Sequence, residues 1–183
     1  MILFEDDNSA IDPLTAEKEK IKDVTDIMEP IVYGFYSIQD GSRIDNREWI
    51  HACTNLKNYY HVCWDPEKTI NAKLGICTDQ SVAERYLLNK FHPEINVQLY
   101  ALYKGRFGHC VCTFEDNGKY FYLEHAWNKE EGLHGPFYSE EELEEYLDFI
   151  YHKNHDKDND DPVYVVKYNP NELLESYEEV VLI

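Results

Sequence analysis

The dipeptide Asn117-Gly118 constrains this chain more than any other pair of residues. It sits within Glu115-Asp116-Asn117-Gly118-Lys119, between two runs of strand formers, His109 to Phe114 and Tyr120 to His125. Asn-Gly between such runs closes a two-residue turn, and the turn sets the register of the hairpin. Asp116 then lies opposite Lys119, Val111 opposite Glu124 and His109 opposite Ala126. Residues opposite one another project to one face, as do residues two apart on a strand. His109 and Glu124 become diagonal neighbours, their backbones roughly 5.5–8 Å apart and within reach of an imidazole–carboxylate hydrogen bond. His125 projects to the other face, so Glu124 is the acid that can serve His109.

The remaining segments read as helices followed by an antiparallel sheet. Asp12-Pro13 opens a helix to about Met28 with Leu14, Ile21, Val24, Ile27 and Met28 as its apolar stripe, and Pro30 ends it. Tyr33 to Ile38 is a strand, Gln39-Asp40-Gly41 a turn, and Arg47 to Tyr59 a helix, while residues 61–76 look irregular. A helix starts near Cys77 and runs to about Lys90 with Val82, Ala83, Tyr86 and Leu87 at helical spacing, until His92-Pro93 stops it. Val97 to Tyr103 is a strand. Ser139 to Glu142 is a capping-box pattern that starts a helix carrying Leu143, Tyr146, Leu147 and Ile150 on one face. His155 to Asp161 reads as an acidic loop, Val163 to Tyr168 as a last strand and Asn171 to Val181 as a short terminal helix. Residues 1–12 are acidic and expected to be loosely held. With no repeat and no linker, residues 1–183 are expected to form one α+β domain.

Chemistry concentrates at Cys77, in Gly75-Ile76-Cys77-Thr78-Asp79-Gln80, where a short apolar run gives way to a helix. A helix N-terminus favours thiolate over thiol through its unpaired N–H groups and dipole. His109 follows in a Gly-His pair and Glu124 in the next strand, so the chain offers a nucleophile, a base and an acid that orients the base. The Cys77 N–H is a natural oxyanion donor. Gln39, Trp49, Tyr59, Tyr60, His61 and Trp64 are upstream candidates for the second donor, and the sequence does not choose among them.

Composition excludes several classes. A chain of 183 residues with 43% hydrophobic content and fifteen Tyr is long and aromatic enough to fold around a core despite a formal charge of −19. That charge repels phosphate backbones and anionic lipid, which disfavours nucleic-acid and membrane-surface roles. No apolar run approaches the roughly 20 residues of a membrane span. Five cysteines without a framework spacing, behind an acidic N-terminus unlike a signal peptide, point to free thiols and a cytoplasmic location.

The three segments Gly75-Ile-Cys77, Gly108-His109-Cys-Val-Cys-Thr-Phe and Tyr120-Phe-Tyr-Leu-Glu124 resemble the transglutaminase-like branch of the papain-like cysteine enzymes. More narrowly, residues 30–152 look like small bacterial and phage transglutaminase-like proteins, through Gly75 to Leu88, Gly118 to Trp127, Gly132-Leu-His-Gly and the Glu-rich helix. The resemblance implies a papain/transglutaminase-like core and thiol chemistry on a protein or peptide amide through a Cys77 thioester, with no metal and no cofactor. Water as acceptor gives a protease, amidase or deamidase; an amine gives cross-linking. Two positions depart from the pattern: Glu124 stands where Asp is common, and Thr78 where Trp often follows the cysteine. Thr78, Gln80, Tyr122 and Trp127 are expected near the substrate, with Asp79 capping the helix and Gln80 facing a cleft rim.

Other patterns are weaker. Cys110 and Cys112 project away from His109 on a strand, which argues against zinc on His109, Cys110, Cys112 and His125. Asp156 to Asp161 resembles the start of a calcium loop but has Asp161 at the Gly position and Lys167 at the Glu position. The alternative to an enzyme is a non-catalytic acidic module that holds a basic partner.

Overall fold

Asn117 and Gly118 both adopt positive φ, 51° and 72°, and Asp116 pairs with Lys119. The ladder continues in the expected register to Cys112 opposite Leu123. The computed structural model describes residues 12–36, 43–45, 65–104, 107–127, 129–155 and 163–169.

Helices α1 (Pro13–Lys20) and α2 (Lys22–Met28) occupy the segment expected to be one helix. Asp12 caps the first, its Oδ2 accepting the Thr15 N–H at 3.1 Å. The chain breaks at Ile21 (ψ 18°), whose N–H turns back to Glu17 and Glu19 carbonyls. The stripe survives the break, because Ile21, Val24 and Met28 are fully buried.

Strand β1 (Val32–Tyr36) pairs antiparallel with β2 (Arg43–Asp45) and parallel with β3 (Leu74–Gly75). Between β2 and β3, Pro66–Ala72 forms helix α3, so the stretch 61–76 is not irregular throughout. The signal was present: Asp65 caps the Glu67 N–H at 2.9 Å with Pro66 at the first helical position. Its seven residues are too few to show a periodic stripe.

Helix α4 (Cys77–Phe91) follows β3 directly, with Ile76 as the only intervening residue. Then come β4 (Asn96–Lys104), β5 (Phe107–Asp116), β6 (Lys119–Glu124), β7 (Gly132–Phe137), helix α5 (Glu140–His155) and β8 (Tyr164–Lys167). Five strands form an antiparallel sheet in the order β7-β6-β5-β4-β8. β7 was not expected as a strand, because Gly132, Gly135 and Pro136 lower its strand propensity. It sits at the sheet edge, where such residues are tolerated. His155, assigned to an acidic loop from sequence, is the last residue of α5.

Both faces of this sheet are covered. Leu99, Cys112, Phe114, Phe121 and Leu123 face α1, α2 and α4 in one core, while Tyr100, Leu102, Val111 and Tyr122 face Leu143, Leu147 and Tyr151 of α5 in another. Central strands therefore bury consecutive residues rather than alternate ones; Leu99 to Leu102 and Phe121 to Glu124 are all buried. Each fully buried Leu contributes about 1.5–3 kcal/mol by leaving water. The architecture is α+β, as element order implied. The expected turn at 39–41, helix at 47–59, loop at 156–161 and terminal helix at 171–181 lie outside the described residues.

Candidate functional site

A third, smaller cluster forms where the two sheets meet the start of α4: Tyr33 of β1, Cys77, Ala101 of β4 and Cys110 of β5, with Ile76, Ala126 and Tyr168 against them. Its local geometry begins at Gly75. A Cβ there would lie 2.7 Å from Asp79 Cβ and 3.0 Å from Thr69 Cγ2, so no larger residue fits without displacing the helix start. The space admits the Asp79 carboxylate, which accepts the Ile76 N–H at 3.0 Å. It also leaves the Gly75 carbonyl to accept from Gln80 Nε2 at 2.9 Å. Asp79 thus caps the helix as expected, and the two bonds fix the turn that carries Cys77 into α4.

His109 Nε2 and Glu124 Oε2 are 2.7 Å apart. The other carboxylate oxygen accepts the backbone N–H groups of Ala126 and Trp127 at 2.7 and 2.9 Å. Glu124 is therefore held at both oxygens, one by the His109 ring on β5 and the other by the turn that ends β6. The longer Glu side chain reaches the ring without strain in that bond. The Trp127 indole stacks on the His109 ring with centroids 3.7 Å apart and planes within 9°. Trp127, expected near a substrate groove, stacks so as to fix the imidazole plane, and its π-face favours the charged ring.

Nδ1 is the nitrogen left for Cys77. It is buried and has no partner that meets hydrogen-bond geometry, yet the thiol interacts with the ring strongly enough to raise its basicity. The contact is short of a formed bond. The electrostatics nevertheless favour an ion pair. The Cys77 thiol is lowered to about 5: the Cys110 thiol beside it favours thiolate, burial opposes, and the His109 ring and Cys110 N–H add to the lowering. For His109, burial opposes the charge, but Glu124 and the Cys77 thiolate push the imidazole up to about 10. Burial would raise Glu124, and the His109 charge with its two N–H donors holds it below the usual carboxylate range. The thiolate–imidazolium pair titrates as a unit.

Cys77, His109 and Glu124 are 1%, 0% and 1% exposed. The sulfur, the ring and the carboxylate are thus closed off from solvent together. Thr78, Gln80 and Tyr122 are buried as well. Gln80 does not face an open rim; it is tied to Gly75, with Oε1 buried and unpartnered. Tyr122 packs in the core beneath α5, stacked on His134 at 4.5 Å with its hydroxyl unpartnered. The six candidate oxyanion donors named from sequence lie outside the described residues.

Two neighbours of the thiol escaped the sequence reading. In the sequence Cys110 stands out only as a zinc ligand candidate facing away from His109. Tyr33 lies 44 positions upstream (77 minus 33), and only the parallel pairing of Tyr33 with Gly75 brings it to the helix start. Its hydroxyl lies within reach of both the Cys77 backbone N–H and the Cys77 sulfur. No local signal announces a parallel pairing of such short strands.

No protein-family model matches the chain, and no curated protein matches it. What the site does is therefore read from its chemistry.

Proposed function

We propose that the chain is a cysteine-dependent acyl-transfer enzyme that acts on protein or peptide amides, built on a papain/transglutaminase-like core. The observation that carries this reading is the His109–Glu124 bond of 2.7 Å beside a thiol lowered to about 5 at the start of α4. The Cys77 thiolate attacks the amide carbonyl, and the carbonyl π electrons move to oxygen. As the tetrahedral intermediate collapses, the imidazolium gives its Nδ1 proton to the departing amine, leaving a thioester on Cys77 and neutral His109. His109 then removes a proton from water or an acceptor amine, which attacks the thioester and restores the thiolate–imidazolium pair. Glu124 keeps its charge throughout and holds the ring plane and tautomer. No step calls on a metal or cofactor.

A thiol-directed probe applied to wild type, Cys77→Ala and His109→Ala tests the reading. Labelling of wild type at pH 6, its loss in Cys77→Ala and its sharp decline in His109→Ala are expected. A wild-type Cys77 that reacts only near the roughly 8.5 of an ordinary thiol would sink it. That outcome would favour the second reading, an acidic binding module for a basic partner, which draws on the charge of −19 and the 1% exposure of Cys77.

A further inference from the structure

We infer that the Tyr33 hydroxyl and the Cys77 backbone N–H are the two oxyanion donors of this site, an assignment that rests on the nucleophile reading of Cys77. Three observations place Tyr33 there. Its strand runs parallel to β3, with Tyr33 opposite Gly75, two residues before the thiol. Tyr33 shares the small cluster of Cys77, Ala101 and Cys110. The Cys77 backbone N–H and sulfur both lie within reach of its hydroxyl, the N–H placed to donate to the oxygen and the sulfur to accept from it.

That bridging position has a chemical meaning. In a tetrahedral adduct the oxyanion sits two bonds from Sγ, and the donor that moves with the nucleophile is the Cys77 N–H. An oxygen held between Sγ and that N–H already occupies the neighbourhood where the oxyanion forms. When an acyl group arrives, the hydroxyl gives up sulfur and keeps its proton to donate to the new charge. Burial, the thiolate and Asp79 all disfavour phenolate at Tyr33, so the proton is present whenever the thiolate is. In the resting state the same hydroxyl stabilises the thiolate by donating to it.

The test separates oxyanion chemistry from thiol reactivity. p-Nitrophenyl acetate acylates a thiolate through an oxyanion: the sulfur electron pair bonds the acetyl carbon and p-nitrophenolate leaves with its own pair. Iodoacetamide alkylates the same sulfur by displacing iodide, and no oxyanion forms. Both rates are measured on the pH plateau where the thiolate is complete, for wild type, Tyr33→Phe and Cys77→Ala. Tyr33→Phe is expected to slow acylation about 10²-fold, the loss typical of one oxyanion donor, while alkylation changes less than about threefold. A 3-fluorotyrosine at position 33 keeps the shape and strengthens the donor, so acylation at or above the wild-type rate is expected even if Tyr33→Phe misfolds. Equal slowing of both reactions, undiminished acylation in Tyr33→Phe, or a loss with fluorotyrosine would overturn the assignment. Acylation that persists in Cys77→Ala would overturn the nucleophile reading, and the Tyr33 assignment with it.

Discussion

Glu124 and His125 are adjacent, yet each completes a different buried His–Glu pair. Glu124 bonds His109 at 2.7 Å; His125 Nδ1 and Glu84 Oε1 of α4 are 2.5 Å apart on the other side of the strand. Each pair has a buried cysteine near it, and there the likeness ends. Cys77 is lowered to about 5. Cys112, in the aliphatic core, is pushed far above its ordinary value by burial, with the Glu84 charge adding to the rise. Both thiols pay a burial cost, so burial does not distinguish them. Cys77 has donors around it: the Cys110 thiol and N–H, the His109 ring, Tyr33 and a helix N-terminus. Cys112 sits mid-strand, with its backbone groups used by the ladder to Leu99 and Leu123. A carboxylate near a thiol suppresses thiolate unless a cationic ring stands between them. Glu124 acts through His109, whereas Glu84 acts on Cys112 directly.

Replacing members of the first pair should have the largest effects. In wild type the iodoacetamide rate should rise as pH climbs through about 5 and stay level until the imidazole loses its proton near about 10. His109→Ala should move the rising limb toward the roughly 8.5 of a free thiol, which lowers the rate at pH 6 about 10²-fold. Glu124→Gln should draw the upper limb below about 10, because the neutral amide no longer supports the ring charge, and should cut any acyl-transfer rate by about 10²-fold or more. An unchanged profile in either variant would erase the contrast between the two pairs.

Gly75→Ala should come next. The added methyl meets Asp79 Cβ at 2.7 Å, so the start of α4 must shift. A loss of about 1–3 kcal/mol in denaturant unfolding is expected, together with slower Cys77 alkylation. Stability loss with wild-type alkylation would mean that the turn tolerates displacement of the nucleophile.

The cysteines give the sharpest comparison at intermediate size. Cys110→Ala should raise the Cys77 midpoint, since it removes the thiol that donates to the thiolate. Cys112→Ala should leave that midpoint alone and cost about 1–2 kcal/mol through the cavity it leaves. Because S–H is a weak donor, the Cys110→Ala shift should be smaller than the His109→Ala shift. The reverse order would make the second thiol, not the ring, the main stabiliser of Cys77.

Glu84→Gln should have the smallest effect on reactivity and a measurable one on stability. Burial opposes a charge on His125, but Glu84 raises the imidazole above its ordinary value. A group raised in the folded state contributes fully below its unfolded value of about 6.5 and loses that contribution as pH rises through the folded one. Burial raises the Glu84 carboxyl, so the Tm difference between wild type and Glu84→Gln should be largest below about 6.5 while that carboxylate is still charged, and shrink as pH rises. A difference independent of pH would mean that the second pair is held by a neutral hydrogen bond.

Much of the candidate site was legible before the fold was known. The two-residue turn at Asn117-Gly118 set the hairpin parity, and parity alone put His109 with Glu124 and sent His125 elsewhere. The cap at Asp12-Pro13 and the apolar spacing of α4 were equally local. Helix α3 was missed although Asp65-Pro66 repeats that same cap, because seven residues carry too little periodicity to outweigh an irregular-looking stretch. β7 was missed because its glycines and proline oppose strand propensity, and only edge pairing with β6 overrides them. Trp127 is expected near the site from sequence, but its stacking on the imidazole depends on how the turn after Glu124 closes.

The amino-acid order determined what short-range physics can determine: turn type, hairpin register, helix starts, and therefore a thiol at a helix N-terminus and a His–Glu pair on one strand face. Only the tertiary structure decided which groups surround that thiol. Tyr33 reaches it through a parallel strand pairing, and Cys110 through the packing of α4 against β5. Such contacts join residues dozens of positions apart, and no local backbone preference encodes them. They exist because the two sheets and the helix start must bury their apolar faces together, and that shared burial brings hydroxyl, thiol and imidazole to the sulfur.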